Sequence, residues 1–266
     1  MKKKLIKKIF ASHRRTNCII MSKTIILIPS RLAATRLPNK PLLKINNLSI
    51  IQHVYKRAKE SRVGKVFVAT GDKKIAEEIS KIDGKYILTK KKHKTGTDRI
   101  YEAYKKIKNK LKCEYIINLQ GDEPFIDPKD IIKLNNKIIR NKSAMGTIAT
   151  TVTKRELSDR GVVKVITEKN IVKNRISRAK KFLRKCENSI KKNIYSHIGI
   201  YQYNISTLEK FVNLRQSTNE LRNHLEQLRA IDHGINIDVI YTKNKSVGID
   251  TVKDYVEIKK IMEYKI

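Results

Sequence analysis

Three basic side chains follow the first apolar run of this sequence at short spacing. Arg31, Arg36 and Lys40 lie in the segment that begins at Pro29 and ends at Leu42. Guanidinium and ammonium groups gathered in one loop can bind a polyphosphate, although such a cluster also occurs on ordinary solvated surfaces. The segment has neither the P-loop spacing nor a G-x-G-x-x-G pattern. This argues against a Walker NTPase and against a dinucleotide oxidoreductase.

Acidic residues in two places could hold a divalent cation. Asp122 and Glu123 come directly after the apolar run Tyr115–Gln120, and Asp250 follows the last predicted strand. Mg²⁺ is usually held by one or two carboxylates together with substrate phosphates, so Asp122 is a candidate ligand. Asp250 is a second candidate, and capping of the final helix is the alternative for that residue.

A polar, glycine-containing turn lies between these two regions. It runs from His93 to Arg99 and opens a helical pattern. Its simplest interpretation is a helix cap, with Thr95 or Thr97 as the capping residue.

The elements that must position these residues alternate between strands and helices. The predicted strands of the first half are Thr24–Pro29, Val66–Thr70, Tyr86–Leu88 and Tyr115–Gln120. The predicted helices are Ser49–Ser61, Lys73–Ser80, Thr97–Lys108 and Pro128–Ile139. This alternation predicts an α/β fold, doubly wound, with a mostly parallel sheet between helix layers. Ligands of such sheets bind beyond the carboxyl ends of the strands, where the candidate residues lie.

The second half has a more irregular pattern. The predicted strands are Thr147–Thr153, Val162–Thr167, His197–Tyr203 and Ile235–Tyr241, with helices at Glu220–Asp232 and Thr251–Lys265. The stretches between the strands are irregular and very basic. Because no linker or repeat interrupts the chain, residues 21–266 are predicted to form a single domain.

Composition limits the classes of function. The 266 residues include 60 Lys and Arg against 25 Asp and Glu, a net charge of +35 with a pI near 10.1. Such a charge suits nucleic acid, an anionic membrane or a phosphorylated ligand, and a compositional bias towards Lys explains it equally well. Apolar runs are too short to cross a bilayer, and three distant cysteines argue against disulfides or structural zinc. A reducing cytoplasm is therefore the expected compartment.

The first twenty residues differ from the rest. They contain seven Lys and Arg and no acidic residue, and Met21 then precedes a clear strand pattern. Residues 1–20 are either a targeting or membrane-surface extension or a non-native addition to a chain that begins at Met21. The lack of a signal-peptide apolar core favours the second interpretation.

Six ordered blocks resemble the 3-deoxy-manno-octulosonate cytidylyltransferases, the CMP-Kdo synthetase family, over nearly all of residues 21–266. The blocks are R-L-A-A-T-R-L-P-N-K-P-L from Arg31, T-G-T-D-R from Thr95, Q-G-D-E-P from Gln120, H-I-G-I-Y from His197, L-E-Q-L-R from Leu225 and G-I-D-T from Gly248. The resemblance implies a nucleotide-diphospho-sugar transferase-like fold and a nucleotidyltransferase domain.

It also implies a reaction: transfer of CMP from CTP to the anomeric hydroxyl of an acidic 3-deoxy sugar, with release of pyrophosphate, for lipopolysaccharide synthesis. Arg31 and Lys40 would bind the CTP phosphates, and Asp122 with Asp250 would hold Mg²⁺. These four are the implied catalytic residues. Attack at the α-phosphorus builds negative charge, which cations stabilise. The resemblance further suggests a homodimer in the cytoplasm.

The remaining blocks imply substrate contacts. Thr95, Gly96 and Arg99 would lie along the nucleotide. The sugar would be bound by Gln120, His197, Tyr201, Glu226 and Gln227. For His197 the alternative is a core histidine, and for Glu226 it is a charge on a helix surface.

Several departures from the family pattern leave the sugar open. Asp72 is displaced by one position after Gly71, no proline follows Ile176-Ser177-Arg178, and Asn223 stands at an acidic position. The resemblance favours 3-deoxy-D-manno-octulosonate (Kdo) as the acceptor, and its 8-amino analogue or a nonulosonic acid is the alternative. A basic nucleic-acid-binding protein is the alternative from another class, but the sequence has only 16 aromatic residues, no stacking motif and no helix-turn-helix pattern. Specific nucleic-acid binding is therefore not expected.

Overall fold

Eleven strands and ten α-helices form the part of the chain that the computed structural model describes, residues 23–33, 36–186, 192–246 and 248–264. The strands are β1 (Thr24–Ser30), β2 (Lys44–Ile45), β3 (Leu48–Ser49), β4 (Lys65–Thr70), β5 (Tyr86–Leu88), β6 (Tyr115–Leu119), β7 (Met145–Thr151), β8 (Lys164–Thr167), β9 (Ile176–Leu183), β10 (Ile194–Asn204) and β11 (Ile237–Tyr241). The helices are α1 (Ile50–Glu60), α2 (Lys73–Ser80), α3 (Gly96–Ile107), α4 (Pro128–Asn141), α5 (Lys154–Ser158), α6 (Ile171–Asn174), α7 (Ile205–Asn213), α8 (Thr218–Asn223), α9 (Gln227–Asp232) and α10 (Val252–Tyr264). The basic segment 1–20 lies outside the described residues, so its origin stays a prediction.

Nine of the strands form one sheet in the order β5-β4-β1-β6-β10-β7-β11-β9-β8, and β2 pairs with β3 in a separate hairpin. The first four strands are parallel, as the alternation of strands and helices predicts. In the second half, β10 runs antiparallel to both β6 and β7, and β9 runs antiparallel to β11 and β8. The α/β fold is confirmed, with parallel pairing concentrated in the first half.

Helices cover both faces of the sheet, which explains the continuous apolar character of β1. Ile26 and Ile28 belong to a core that includes residues of α1, α2 and α4. Ile25 and Leu27 point the other way, into a core that includes residues of α3, α7 and α9. Alternate side chains of a strand leave on opposite faces, so a strand buried on both sides has no polar face.

A third, smaller cluster packs α10 against the loop after β1. Leu37, Ile45, Ile50, Ile249 and Ile258 form it, and each is at most 6% exposed. This cluster brings the basic loop and the G-I-D-T block to the same side of the molecule.

Two predictions for the second half are wrong. The single helix Glu220–Asp232 is divided into α8 and α9, because His224 adopts a left-handed conformation with φ of 50°. The stretch described from sequence as irregular contains β9, whose exposed Lys180 and Lys181 obscure its strand pattern. The other predicted elements are found with their ends shifted by a few residues. No helix among the described residues is both long and apolar enough to span a membrane.

Candidate active site

Two predicted metal ligands and one predicted phosphate ligand meet at the carboxyl ends of β1 and β6. Lys40 Nζ lies 2.8 Å from Asp122 Oδ2 and 3.1 Å from Asp250 Oδ1. Arg36 Nη2 lies 3.1 Å from the other oxygen of Asp250. Residues 40, 122 and 250 are far apart in sequence, so the fold itself makes this cluster.

Charge balance keeps the Lys40 cluster ionised. Burial alone would lower the pKa of Lys40, but attraction to Asp122 and Asp250, with a hydrogen bond to each, outweighs it and raises the pKa. Burial would likewise raise the pKa of Asp250, and the nearby charges of Lys40, Arg36 and Arg184 lower it instead. The site therefore presents anionic oxygens that converge on one cation.

Asp250 does not cap the final helix, which was the alternative for this residue. The capping contacts of α10 come from Thr251, whose hydroxyl accepts from Asp254 N at 3.2 Å. Asp254 Oδ2 in turn accepts from the backbone N–H groups of Asp250 and Thr251. The Asp250 carboxylate is thus left to face Lys40.

Glu123 connects its own sequence block to the H-I-G-I-Y block and to the loop before G-I-D-T, a role that sequence reasoning missed. Its Oε1 accepts from Gly199 N at 3.0 Å, and its Oε2 accepts from the Ser246 hydroxyl at 2.5 Å. Burial, reinforced by the charge of Asp122, raises its pKa to about 7. A Cβ at Gly199 would lie 2.8 Å from Glu123 Oε1, so the contact requires a residue without a side chain there. Glu123 thus links the β6 turn to β10 and to the loop before Asp250.

A cleft of about 530 Å³ opens beside the Lys40 cluster. Its lining includes eight of the predicted site residues: Arg31, Lys40, Thr95, Gly96, Arg99, Gln120, Asp122 and Asp250. Arg36, which the sequence placed in the basic loop with Arg31 and Lys40, also lines the cleft, and His93 and Lys94 add further basic groups. Such a concentration of cations fits a polyanionic ligand.

The cleft walls are held by local hydrogen bonds. Asp72 Oδ2 accepts from Leu32 N at 3.0 Å, which anchors the loop of Arg31 from the end of β4. Thr95 caps α3 in a capping box with Asp98, so the capping interpretation of this turn is confirmed. Since Thr95 also lines the cleft, capping and ligand contact do not exclude each other.

Arg99 has a structural task in addition to its place on the cleft lining. The residue is 3% exposed, and its guanidinium donates to Thr89 Oγ1 at 2.7 Å, Lys90 O at 3.1 Å and Lys91 O at 2.9 Å. These bonds hold the turn that leads to His93. The predicted phosphate contact of Arg99 would have to use its remaining N–H groups.

Four of the predicted sugar ligands lie outside the cleft lining, in a polar cluster behind it. His197 packs between the rings of Phe182 and Tyr201, with centroid distances of 5.4 and 5.1 Å. Its Nε2 lies 2.9 Å from Thr147 Oγ1, which donates its own proton to Ile200 O, so Nε2 carries the hydrogen. Burial lowers the pKa of His197 to about 3, and the ring is neutral.

Glu226 and Tyr201 belong to the same cluster. Burial raises the pKa of Glu226 to about 6, opposed by the hydroxyls of Thr97 and Thr95. Within the described residues, neither Glu226 Oε1 nor the Tyr201 hydroxyl has a hydrogen-bond partner. Buried polar atoms without partners are rare in proteins, and a hydroxyl-rich ligand would satisfy both. Gln227 is 7% exposed and begins α9 next to this cluster.

Arg184 is a further residue that sequence reasoning missed. It follows β9, and its charge acts on both Asp250 and Arg36. The surrounding run of basic residues hid it, because nothing in the sequence separates Arg184 from its neighbours. The fold brings it near Asp250 and Arg36, where it adds to the positive potential.

The carboxylates of Asp122 and Asp250 fit a Mg²⁺ ion whose remaining ligands would come from the substrate. No group of three or more His, Cys, Asp or Glu residues in the described chain is arranged to enclose a metal. Asp122 and Asp250 already converge on one cation, the Lys40 ammonium, and two carboxylates completed by phosphate oxygens are a usual Mg²⁺ environment.

Comparisons with known proteins identify the family of this chain. The family model described as Cytidylyltransferase matches residues 25–243. The 3-deoxy-manno-octulosonate cytidylyltransferase of Bartonella tribocorum is 38% identical over 239 residues, which cover 90% of this chain and 98% of that protein. The enzyme of the same name from Thermodesulfovibrio yellowstonii is 41% identical over 245 residues, covering 87% of this chain and 94% of that protein.

Solved structures place the fold in the same group. CMP:2-keto-3-deoxy-manno-octonic acid synthetase complexed with CTP matches with a TM-score of 0.82 and 32% identity, covering 92% of this chain and 100% of that one. UDP-glucose pyrophosphorylase complexed with UDP-glucose matches with a TM-score of 0.70 at 17% identity, over 91% of this chain and 99% of that one, and shows a shared fold. The protein is therefore a member of the cytidylyltransferase family, in the branch of the 3-deoxy-manno-octulosonate cytidylyltransferases.

Proposed function

We propose that this protein transfers CMP from CTP to the anomeric hydroxyl of 3-deoxy-D-manno-octulosonate, giving CMP-Kdo and pyrophosphate for lipopolysaccharide synthesis. The observation that carries the proposal is the convergence of Lys40, Asp122 and Asp250 beside a basic cleft in a chain of this family. Two carboxylates hold the Lys40 ammonium in place, so Lys40 is already oriented when a triphosphate enters the cleft. Such preorganisation is a main source of catalysis in phosphoryl transfer.

The reaction needs little covalent chemistry from the protein. The anomeric oxygen forms a bond to the α-phosphorus, the bond from that phosphorus to the bridging oxygen of the β-phosphate breaks, and the hydroxyl proton passes to water. Arg31 and Lys40 bind and orient the phosphates, and Arg36 adds positive charge at the same edge. Mg²⁺ bound by Asp122 and Asp250 would neutralise the triphosphate and lower the pKa of the sugar hydroxyl.

The sugar is expected to extend from Gln120 towards the polar cluster behind the cleft. Gln120 lines the cleft, and its Nε2 donates to Asn118 Oδ1 at 3.2 Å. The Tyr201 hydroxyl and Glu226 Oε1 are buried and have no hydrogen-bond partner among the described residues, so sugar hydroxyls that reach this cluster would find free polar atoms there. Positive charge from Arg184 favours a carboxylate at this end.

The deciding experiment is pyrophosphate release from CTP and Mg²⁺, with Kdo, 8-amino-Kdo and N-acetylneuraminate tested in parallel. We expect release with Kdo. Release only with the 8-amino analogue or with N-acetylneuraminate would reassign the acceptor within the family. Absence of turnover with all three sugars, from protein that is folded and binds CTP, would refute the proposed reaction.

We further propose that the enzyme acts in the cytoplasm as a homodimer, as its family resemblance suggests. CTP and a free acidic sugar are both cytoplasmic substrates in this scheme. Light scattering coupled to gel filtration would give the mass of the particle against the 30.9 kDa of one chain. A single-chain mass at assay concentrations would refute the dimer and leave the reaction untouched.

A further inference from the structure

Lys164 is a lysine with no solvent exposure, placed at the start of β8. Its ammonium lies 2.6 Å from Asp159 O, 2.9 Å from Val162 O and 2.6 Å from Arg184 O. An ammonium group has three protons, and these three carbonyl oxygens can accept all of them. Burying a charge is costly unless its hydrogen bonds are satisfied, so this arrangement has a stringent geometry.

The third of these carbonyls belongs to Arg184, whose own side chain continues the network. Arg184 Nε donates to Asn223 O at 3.0 Å, Nη2 donates to His224 O at 3.1 Å, and Nη1 donates to Arg160 O at 3.3 Å. Lys164 therefore fixes the main chain of Arg184, and the Arg184 guanidinium fixes the turn between α8 and α9. Both residues also hold the turn that contains Arg160.

This network ends at the sugar side of the site. The turn at Asn223 and His224 leads directly into Glu226, one of the residues with an unpartnered buried oxygen. The charge of Arg184 acts at the same time on Asp250 in the cleft. A displacement of Arg184 would thus alter the sugar end first, where its hydrogen bonds are, and would affect the cleft only through its charge on Asp250 and Arg36.

We propose that Lys164 is a positioning residue for the acceptor sugar, which acts by holding Arg184 and, through it, the α8–α9 turn. The inference rests on the proposed function, because it assigns the affected substrate. It assigns Lys164 no contact with either substrate. Its signature is a rise in the KM for the sugar with little change in the binding of CTP.

The test compares Lys164→Met, which keeps an unbranched stem as far as Cε and removes the ammonium group, with Lys180→Met on the exposed side of β9 as the control. We expect the sugar KM of K164M to rise about 10-fold or more, since small misplacements of binding groups have effects of this order. CTP affinity, measured by calorimetry, should change less than about 2-fold, because the phosphate-binding residues are untouched. K180M should resemble the wild type in both.

Hydrogen exchange supplies a readout independent of activity. Amides of the α8–α9 turn, residues 222–228, should exchange faster in K164M than in wild type or K180M. A folded K164M with wild-type sugar KM and unchanged exchange would overturn the inference. Were K164M to unfold, Arg184→Lys would decide, since it keeps the charge and loses the fork that holds Asn223 and His224. A wild-type sugar KM in R184K would then refute the proposal, and a raised one would support it.

The outcomes also separate this inference from the proposed function. Wild-type protein without activity towards any sugar would refute the function before any variant is made. Active wild type with an unaffected K164M would refute only the role of Lys164.

Discussion

Substitution of Glu123 by alanine should impair both stability and catalysis, although this residue is not itself expected to touch a substrate. Its carboxyl receives two hydrogen bonds, from Gly199 N and from the Ser246 hydroxyl. In Glu123→Ala both donors lose their acceptor in a site where Glu123 is only 6% exposed. A buried donor left without a partner costs about 1–3 kcal/mol. Because Ser246 can rotate towards another acceptor, we expect a total loss of about 2–4 kcal/mol.

The catalytic effect follows from what those bonds hold. Gly199 belongs to β10, and Ser246 lies in the loop that delivers Asp250 to Lys40. Release of this loop would misplace Asp250, and misplacement of a catalytic group by about 1 Å can cost 100-fold in rate. We therefore expect kcat of the alanine variant to fall by about 10- to 100-fold.

Glu123→Gln provides the matched comparison. An amide oxygen can still accept from Gly199 N, and the Ser246 hydroxyl can accept from the amide NH₂. The stability of this variant should lie within about 1 kcal/mol of the wild type, with most of the activity kept. Glu114→Ala is the surface control, since its side chain is 59% exposed and pairs with Lys23.

The assays are urea unfolding at pH 6 and steady-state pyrophosphate release. At pH 6 the Glu123 carboxyl, with its pKa of about 7, is mostly protonated, so the alanine variant gains little from removal of a buried charge. Wild-type kcat in Glu123→Ala would refute the reasoning. Equal damage in the glutamine variant would show that hydrogen bonds from Gly199 N and Ser246 are not sufficient to explain the role of this side chain.

Four further predictions concern other groups. Glu220→Gln should lower the unfolding free energy by about 3–5 kcal/mol in urea, because it leaves Arg229 buried without its charge partner; a loss under about 1 kcal/mol would contradict this. The difference in unfolding free energy between wild type and His197→Asn should shrink as pH falls from 6.5 towards 3. Over this range the unfolded chain binds a proton at His197 and the folded chain, with its lowered pKa, does not, so the wild type loses stability. A constant difference would argue against a buried neutral ring. Asp122→Asn and Asp250→Asn should each lose most turnover with Mg²⁺ while still melting cooperatively, and near-normal rates in both would exclude the metal assignment. Finally, kcat/KM should fall with ionic strength if the charge of +35 attracts CTP and the acidic sugar; a kcat/KM indifferent to salt would exclude steering.

The fold was predictable from sequence where strands are buried on both faces. The apolar run of β1 and the alternation up to α4 gave the correct elements, because burial leaves a direct signal in composition. The second half was less predictable. In β9 the exposed Lys180 and Lys181 conceal the strand, and the break between α8 and α9 depends on the left-handed conformation of His224. A backbone conformation of this kind in a non-glycine residue depends on tertiary contacts.

The candidate site was predictable as a set of residues and unpredictable as a geometry. Short motifs identified Lys40, Asp122 and Asp250, and the structure brings them within hydrogen-bond distance. The same motifs presented Glu123 only as an acidic neighbour of Asp122, and they gave no reason to choose Arg184. Both residues form hydrogen bonds with backbone groups of distant segments. Every residue type has a backbone carbonyl and nearly every type has a backbone N–H, so such contacts cannot be recognised from the sequence.

The place of Asp250 shows why such a site cannot be deduced from one motif. The loop after β11 is anchored repeatedly to other elements: Thr242 donates to Asp130 of α4 at 2.6 Å, and Ile249 N donates to Asp122 O at 2.9 Å. Between these anchors Ser246 donates to Glu123. The course of this loop, which brings Asp250 to Lys40, is thus determined by its contacts with α4 and with the turn after β6 more than by the sequence of the loop. For this reason G-I-D-T considered alone is compatible with a helix cap, and only the packed chain places its carboxylate beside Lys40 in the candidate active site.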